Sequence, residues 1–425
     1  MSIKDWLGAS LVKIAGYPIS LMSYSMIHKL GCALGSAAFY LDSYHRKRTM
    51  NNLAIAQDLN LDEDEMRNVA IKSFQSFSIT FLEYFRLSKS KDKLEEIVVC
   101  ENPEIFEEAK MHGKGVIFMS GHQANWECAL LDITAHIDGV AVGKPIKNPY
   151  LYDWVCSIRE MNGSKVINPK KAISSGIREL EKGHFVGMAC DQALPESSYN
   201  HLFLGVRAWS SSSPALLSYK TGAPLVVITL RRHKGKYYIR YSPLMWPDST
   251  KPLRPEITRM MDHAFQILEA SVKETPEQYF WQHNRWKQVG INHVHRKYRH
   301  DFILIVLPKG KNKYDEVISH LEVLQEIYPR GFFTFMLPEG ASYTLPIKDA
   351  KIFRYCHKDE ILVRDWRYQM VVDFTNDKAI RRHFKKLGAF HVFTQNDFEK
   401  MASSHPNYKN DLNLGELMAC ALVKA

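Results

Sequence analysis

Apolar residues crowd the amino-terminal segment. One stretch runs from Leu7 to Ile27, broken by Lys13 and Pro18, and a second from Leu30 to Leu41. Neither gives the uninterrupted run of about 18–20 apolar residues that a simple spanning helix needs. The pattern therefore predicts a helical hairpin embedded in, or lying on, a membrane interface, with ordinary buried helices packing on the following domain as the alternative. The cluster His45-Arg46-Lys47-Arg48 follows directly and is predicted to sit among headgroups on the cytoplasmic side. From Asp62 to Arg86, Val69, Phe74, Phe77, Phe81 and Tyr84 recur at helical spacing, the mark of an amphipathic helix.

From residue 96 the pattern changes to short β-rich runs. Gly115 to Ser120, Val140 to Gly143, Lys165 to Ile167, Phe185 to Ala189, Pro224 to Leu230 and Tyr237 to Tyr241 read as strands. Helical patterns at Glu127 to Ile137, Tyr150 to Met161, Ala172 to Lys182 and Ser213 to Lys220 lie between them. Such alternation predicts an α/β mixed sheet with crossover helices, and Thr258 to Lys273 adds a further amphipathic helix. Residues 291–300 (INHVHRKYRH) are polar and basic and read as a solvated linker. Beyond it, strands at Phe302 to Pro308, Phe332 to Leu337 and Gln369 to Phe374 alternate with helices at Tyr314 to Tyr328 and Lys378 to Leu387. The predicted organisation is a membrane-associating helical segment over 1–60, a main α/β domain over 61–290, and a smaller, Rossmann-like α/β domain over 301–425.

Charge sharpens this picture. The chain has 56 Lys and Arg against 46 Asp and Glu, net +10, but residues 301–425 carry 18 basic and 16 acidic side chains. The excess therefore lies earlier, and residues 1–51 alone hold six basic and two acidic groups. A basic end that is also apolar suits an anionic membrane surface, where each nearby Lys or Arg contributes about 1 kcal/mol. No helix-turn-helix, RNA-binding or zinc-finger pattern accompanies the charge, so nucleic acid is not an expected partner. The seven cysteines have no CxxC spacing, which argues against a zinc ribbon or disulfide framework. His293, His295 and His300 lack the Cys or carboxylate neighbours that would complete a ligand set, and no metal is expected.

The candidate chemistry lies in Gly121-His122-Gln123-Ala124-Asn125-Trp126-Glu127, directly after the predicted strand GVIFMS. Histidine and glutamate five apart fall about 140° apart on one helix and on opposite faces of one strand. A strand-to-helix turn lets them meet at the carboxyl edge of the sheet, where catalytic groups of open α/β folds collect. A carboxylate beside imidazole fixes its tautomer and stabilises the imidazolium formed when Nε2 takes a proton. No serine or cysteine stands in a nucleophile-elbow sequence, so the hydroxyl to be activated is expected on a substrate.

Five ordered blocks resemble the lipid A biosynthesis acyltransferases, the lauroyl and myristoyl transferases within the lysophospholipid acyltransferase superfamily, over roughly residues 1–288. GHQANWE resembles that family's His-x4-Glu motif. KNPYLYDWVCSIREMNGSKVI, GHFVGMACDQ, FLGVRAWSSSSPALLSYKTGAPLV and PEQYFWQHNRWK are similar to its later blocks. The resemblance implies transfer of a fatty acyl group from an acyl carrier protein thioester to a hydroxyl of a lipid A precursor, with no cofactor, at the cytoplasmic face of a bacterial inner membrane. His122 would be the base and Glu127 its orienting partner. Asn125, Arg159, Asp191, Gln192, Gly205 and Arg207 are the candidate substrate-binding residues, with Asn125, Arg159 and backbone amides after His122 as oxyanion donors. Two alternatives stay open: an acyltransferase using coenzyme A thioesters on another glycolipid or phospholipid, and a noncatalytic lipid-binding scaffold. The extension beyond residue 301 faintly resembles half of a heptosyltransferase and is expected to be a noncatalytic accessory unit.

Overall fold

The computed structural model describes residues 2–87, 91–288, 293–341, 346–406 and 408–424. Four helices come first: α1 (Ile3–Leu21), α2 (Tyr24–Leu41), α3 (Ser43–Ile55) and α4 (Glu63–Leu87). Strands β1 (Val98–Cys100), β2 (Val116–Ser120), β3 (Gly139–Val142), β4 (Lys165–Ile167), β5 (Phe185–Ala189), β8 (Leu225–His233) and β9 (Lys236–Tyr241) build a seven-stranded sheet, interrupted in sequence by the hairpin β6 (Tyr199–Phe203) and β7 (Val206–Ser210). The strand order is β1-β9-β8-β2-β5-β3-β4. All pairings are parallel except β8 with β9, so the predicted mixed sheet forms. Central β2 is buried along Val116, Ile117, Phe118 and Met119, as a strand covered by helices on both faces must be.

A second sheet joins β10 (Phe302–Val306), β11 (Phe332–Pro338), β12 (Lys351–Tyr355), β13 (Met370–Asp373) and β14 (His391–Phe393), all parallel, in the order β12-β11-β10-β13-β14. The chain winds outward from β10 in one direction and then in the other, which is the doubly wound arrangement expected for the smaller unit. The helix expected over 314–328 forms as two pieces, Lys311–Ile318 and Glu322–Ile327.

The amino-terminal helices depart from expectation in instructive ways. Helix α2 packs against α4, because Gly31 and Gly35 let the backbones touch: a Cβ at Gly35 would lie 2.4 Å from Gln75 Cα, and one at Gly31 2.5 Å from the Ile79 side chain. The apolar run of α2 is thus partly protein core. Helix α1 leaves Ile3, Trp6, Leu7, Leu11, Ile14, Tyr17 and Leu21 exposed. No helix among the described residues is long and apolar enough to cross a membrane.

Much of the basic cluster is engaged by the protein itself. Lys47 Nζ donates to the carbonyls of Lys385 (2.7 Å) and Ala389 (2.8 Å), Arg48 is buried with its guanidinium 4.6 Å from the Phe390 ring, and Arg46 donates to the carbonyls of Phe39 and Tyr40 at the end of α2. Helix α3 is a rivet between the two sheets: Asn52 Nδ2 donates to the carbonyls of Trp281 (2.7 Å) and His283 (2.5 Å), while Asn51 Nδ2 reaches those of Trp366 and Gly388. The linker reading also fails in part. Residues 291 and 292 lie outside the described residues, but His300 is 4% exposed and stacks on Phe390 at 5.1 Å.

Because the α2 and α4 backbones touch at Gly35, Gly35→Leu should destabilise the protein by about 1–3 kcal/mol, the usual range for overpacking. A lowered urea midpoint with an unchanged m-value is the expected readout; an unaltered midpoint would disprove the close contact.

Candidate active site

Strands β2 and β5 lie side by side with Ser120 opposite Ala189. Two residues beyond each, at the same carboxyl edge, stand His122 and Asp191. His122 Nδ1–H donates to Asp191 Oδ1 at 2.6 Å, and the His122 backbone N–H donates to Asp191 Oδ2 at 2.8 Å. One carboxylate therefore holds both the ring and the main chain. Gly121 leaves room for it, since a Cβ there would lie 3.3 Å from Asp191 Oδ2 and 2.8 Å from Leu268.

The turn from His122 to the helix Trp126–His136 is stapled from both sides. The Ala124 N–H donates to Gln278 O (2.8 Å) and the Phe280 N–H to His122 O (3.0 Å), while Ala124 takes a positive φ of 44°. On the other side, α4 contributes Thr80, whose hydroxyl donates to Ala124 O (2.8 Å), and Glu83. The Glu83 carboxylate is buried and accepts from Asn125 Nδ2 (2.7 Å), Tyr237 OH (2.6 Å) and His28 Nε2 (2.6 Å). Asn125 Oδ1 in turn caps the helix by accepting from the Glu127 N–H. Both ends of the Asn125 amide are committed, so it builds the turn rather than facing a substrate.

Glu127 does not make the expected hydrogen bond to His122. From the first helical turn it forms a bidentate pair with Arg159, through Nε (2.8 Å) and Nη2 (2.6 Å), and it accepts from Tyr84 OH. The orienting contact assigned to Glu127 from sequence is made by Asp191 instead. Glu127 remains near enough for its charge to act on the imidazole. Arg159, placed among oxyanion donors, gives Nε and Nη2 to this pair. Removing Arg159 would strand a buried carboxylate, a change that typically costs about 3–5 kcal/mol.

These surroundings set the protonation states. Burial works to lower the His122 pKa, but the charge and hydrogen bond of Asp191, helped by Glu127, outweigh it and raise the value above normal. Burial likewise opposes ionisation of Asp191, and the His122 contacts overcome it and hold the carboxyl well below its usual range. Glu127 is also held low, because Arg159 and Tyr84 overcome its burial. A second imidazole, His283, is buried nearby, and its Nδ1–H donates to Phe280 O at 2.7 Å. Burial pushes it down to about 4, so it is neutral at pH 7.

With Nδ1 committed, His122 Nε2 is the reactive end. Gln192 Nε2 donates to it at 3.3 Å, and the side chain is 15% exposed. Trp126 stands edge-on to the imidazole at 4.9 Å, and Phe280 lies 6.3 Å away. Phe77 stacks on Phe280 at 4.9 Å and is exposed, as is Phe81 one turn along α4. Aromatic rings thus lead from the outer face of α4 to the imidazole. Of the sequence candidates, the fold gathers His122, Glu127, Arg159, Asp191 and Gln192. Gly205 and Arg207 instead belong to the β6–β7 hairpin and line a cleft against the second sheet. Gly205, with φ 85°, follows Leu204 at φ 50°, the positive pair that a tight two-residue hairpin turn requires. Tyr84 and Glu83 were not singled out as site residues, the helical periodicity over Asp62 to Arg86 being their only hint; Phe280 and His283 lie in the PEQYFWQHNRWK block, whose aromatic residues fit a lipid substrate, without a role assigned to His283.

Residues 2–288 match the family described as bacterial lipid A biosynthesis acyltransferase. Over 289 residues the chain is 25% identical to the lipid A biosynthesis lauroyltransferase of Escherichia coli (strain K12), covering 66% of this chain and 90% of that protein. It is 22% identical over 272 residues to the lipid A biosynthesis palmitoleoyltransferase of the same organism, and equally to a lipid A biosynthesis acyltransferase of Shigella flexneri. Each of these covers 63% of this chain and 86% of the relative. The second sheet lies beyond the family match.

In the Asp191→Asn variant the His122 imidazole should titrate at lower pH than in the wild type, because the largest influence raising its pKa is removed while burial remains. Glu127→Gln should shift it less. Side-chain nitrogen NMR across pH 4–9 reads both values, and an unmoved titration in Asp191→Asn would contradict the pairing.

Proposed function

The chain belongs to the bacterial lipid A biosynthesis acyltransferase family, and from that membership we propose that it moves a fatty acyl group from acyl carrier protein thioester to a hydroxyl of a lipid A precursor, with His122 as general base. The observation that carries this reading is the buried Asp191 carboxylate on His122 Nδ1, which leaves Nε2 as the open end of the ring.

In the proposed reaction, Nε2 takes the hydroxyl proton as the alcohol oxygen attacks the thioester carbon. Asp191 and Glu127 stabilise the imidazolium by their charge, Asp191 in contact and Glu127 from its clamp of Arg159 and Tyr84. The tetrahedral intermediate collapses, the carbon–sulfur bond breaks, and the imidazolium returns the proton to the departing thiolate. The products are an ester and a free thiol. His283, held neutral, does not compete for the proton. Gln192, beside Nε2, is suited to contact the reacting hydroxyl. The aromatic path through Phe280, Phe77 and Phe81 supports an acyl chain approaching from the apolar outer face.

His122→Ala should lose about 10²- to 10⁴-fold in kcat/KM, the range of a positioned base, and Asp191→Asn should fall comparably. Because the base works only when neutral and its pKa is raised, wild-type kcat/KM should drop as pH falls through that raised value, and the acid limb of Asp191→Asn should lie at lower pH. Assays with labelled acyl-acyl carrier protein and a tetraacylated Kdo-lipid A precursor measure this. Equal turnover by His122→Ala would remove the mechanism, and turnover with coenzyme A thioesters alone would replace the donor.

We place the enzyme on the cytoplasmic face of the inner membrane through the exposed side of α1, where Leu7, Leu11 and Ile14 stand beside Lys4 and Lys13. Replacing Leu7, Leu11 and Ile14 together by Glu should release the folded protein from anionic vesicles in a flotation assay. Undiminished flotation would refute this anchor.

A further inference from the structure

The cleft that takes Gly205 and Arg207 away from His122 has no part in the chemistry above. Its volume is about 610 Å³, within the range of about 300–1,000 Å³ typical of small-molecule sites, which favour places where two structural units meet. One wall is the β6–β7 hairpin, with Arg207 and Trp209. The other is the amino-terminal edge of the second sheet, with Arg330, Phe332, Lys348 and Lys351.

Charge there is one-sided. Arg207, Arg330, Lys348 and Lys351 are all exposed, and among the described residues none has a carboxylate within ion-pair distance. A fifth cation, Arg367, is matched by Asp365 through Nη2 at 2.6 Å. One carboxylate in the lining, Asp349, opposes the rest. Cations gathered in a concave site focus a positive potential and draw in an anion. Guanidinium groups and ammonium groups together suit phosphate, with the guanidinium able to bind two of its oxygens.

The lining is also aromatic. The Arg330 guanidinium lies 4.3 Å from the centre of the Trp209 ring, and Phe332 stacks on Phe302 at 4.5 Å. Aromatic rings among cations that have no carboxylate partner describe a ligand with a phosphate at one end and a flat or apolar ring body at the other.

We propose that this cleft is a binding site for a small phosphorylated ring compound, separate from the acyl-transfer centre, with Arg207, Arg330, Lys348 and Lys351 facing the phosphate and Trp209 and Phe332 the ring body. Two sources share that chemistry, a nucleotide and the phosphorylated sugar head of a glycolipid. The hairpin wall is anchored to the first unit by buried Arg285, whose Nη1 donates to Trp209 O (3.2 Å) and Nη2 to Ser210 Oγ (2.9 Å). A ligand across the cleft would therefore join a fixed wall to the edge of the second sheet.

Isothermal titration of the full-length protein with ADP, with an unacylated glucosamine disaccharide bisphosphate, and with inorganic phosphate tests this. Saturable binding of ADP or of the sugar bisphosphate is expected, at least tenfold tighter than inorganic phosphate, and whichever compound binds identifies the source. The exposed pair Lys348→Glu and Lys351→Glu should weaken that binding at least tenfold with an unchanged unfolding midpoint, whereas His122→Ala should bind as the wild type does. No saturation by either organic phosphate at millimolar concentration, equal binding by the charge-reversed variant, or inorganic phosphate binding equally well would each overturn the proposal. None of these titrations requires acyl transfer, so their failure would leave the His122 mechanism standing, and the loss of that mechanism would leave the cleft untouched.

Discussion

The register between β2 and β5 is the constraint on which the site rests. Because Ser120 and Ala189 are direct neighbours, the residues two places beyond each arrive together, and Asp191 meets the backbone N–H and the Nδ1 of His122 while leaving Nε2 free of it. Burying a carboxylate is expensive unless its oxygens are occupied. Asp191 has no exposed side-chain surface, so the hydrogen bonds that orient the base are the same ones that make the burial tolerable. A shift of either strand by one residue would reverse the side chains of the pair and leave an ion without a partner.

Two carboxylates serve one imidazole, and their division of labour follows from their supports. Asp191 leaves the end of a strand and has His122 as its hydrogen-bonded partner. Glu127 leaves the first turn of a helix, where the loop geometry aims it at Arg159 and Tyr84. Its charge is kept in place by a guanidinium fork and a phenol, so it can influence the ring without touching it. The α4 helix sets this arrangement from below: Tyr84 grips Glu127, Glu83 grips Asn125, and Thr80 holds Ala124.

The sequence made the main strands legible because β2, β5 and the first half of β8 are apolar runs bounded by polar residues. It concealed β12, whose residues Lys351 to Arg354 are exposed and show no alternation, and the β6–β7 hairpin, whose turn places Leu204 where Asn would announce it. Helix α2 was ambiguous for a different reason: apolar residues facing a neighbouring helix and apolar residues facing outward look alike in one dimension, and the contacts at Gly31 and Gly35 mark the side that packs on α4. The His122 and Glu127 positions were readable as a motif, and Asp191 and Arg159 as candidate site residues, but which of them pair was not. Asp191 is 69 residues away from His122, and its role depends on which strands become neighbours, a property of the whole sheet rather than of any local spacing.

Helix α3 shows how an appended unit ceases to be optional. Adjacent asparagines, Asn51 and Asn52, point their amides to opposite sides, one to carbonyls of the second sheet's unit and one to the segment that carries His283. Lys47, half-buried, and Arg48, buried, likewise turn to that unit's carbonyls and the Phe390 ring. A cut at the boundary of the family match would bare a helix face composed for company. The extension is therefore not severable: its removal would leave Asn51, Lys47 and Arg48 without the carbonyls and ring they now meet.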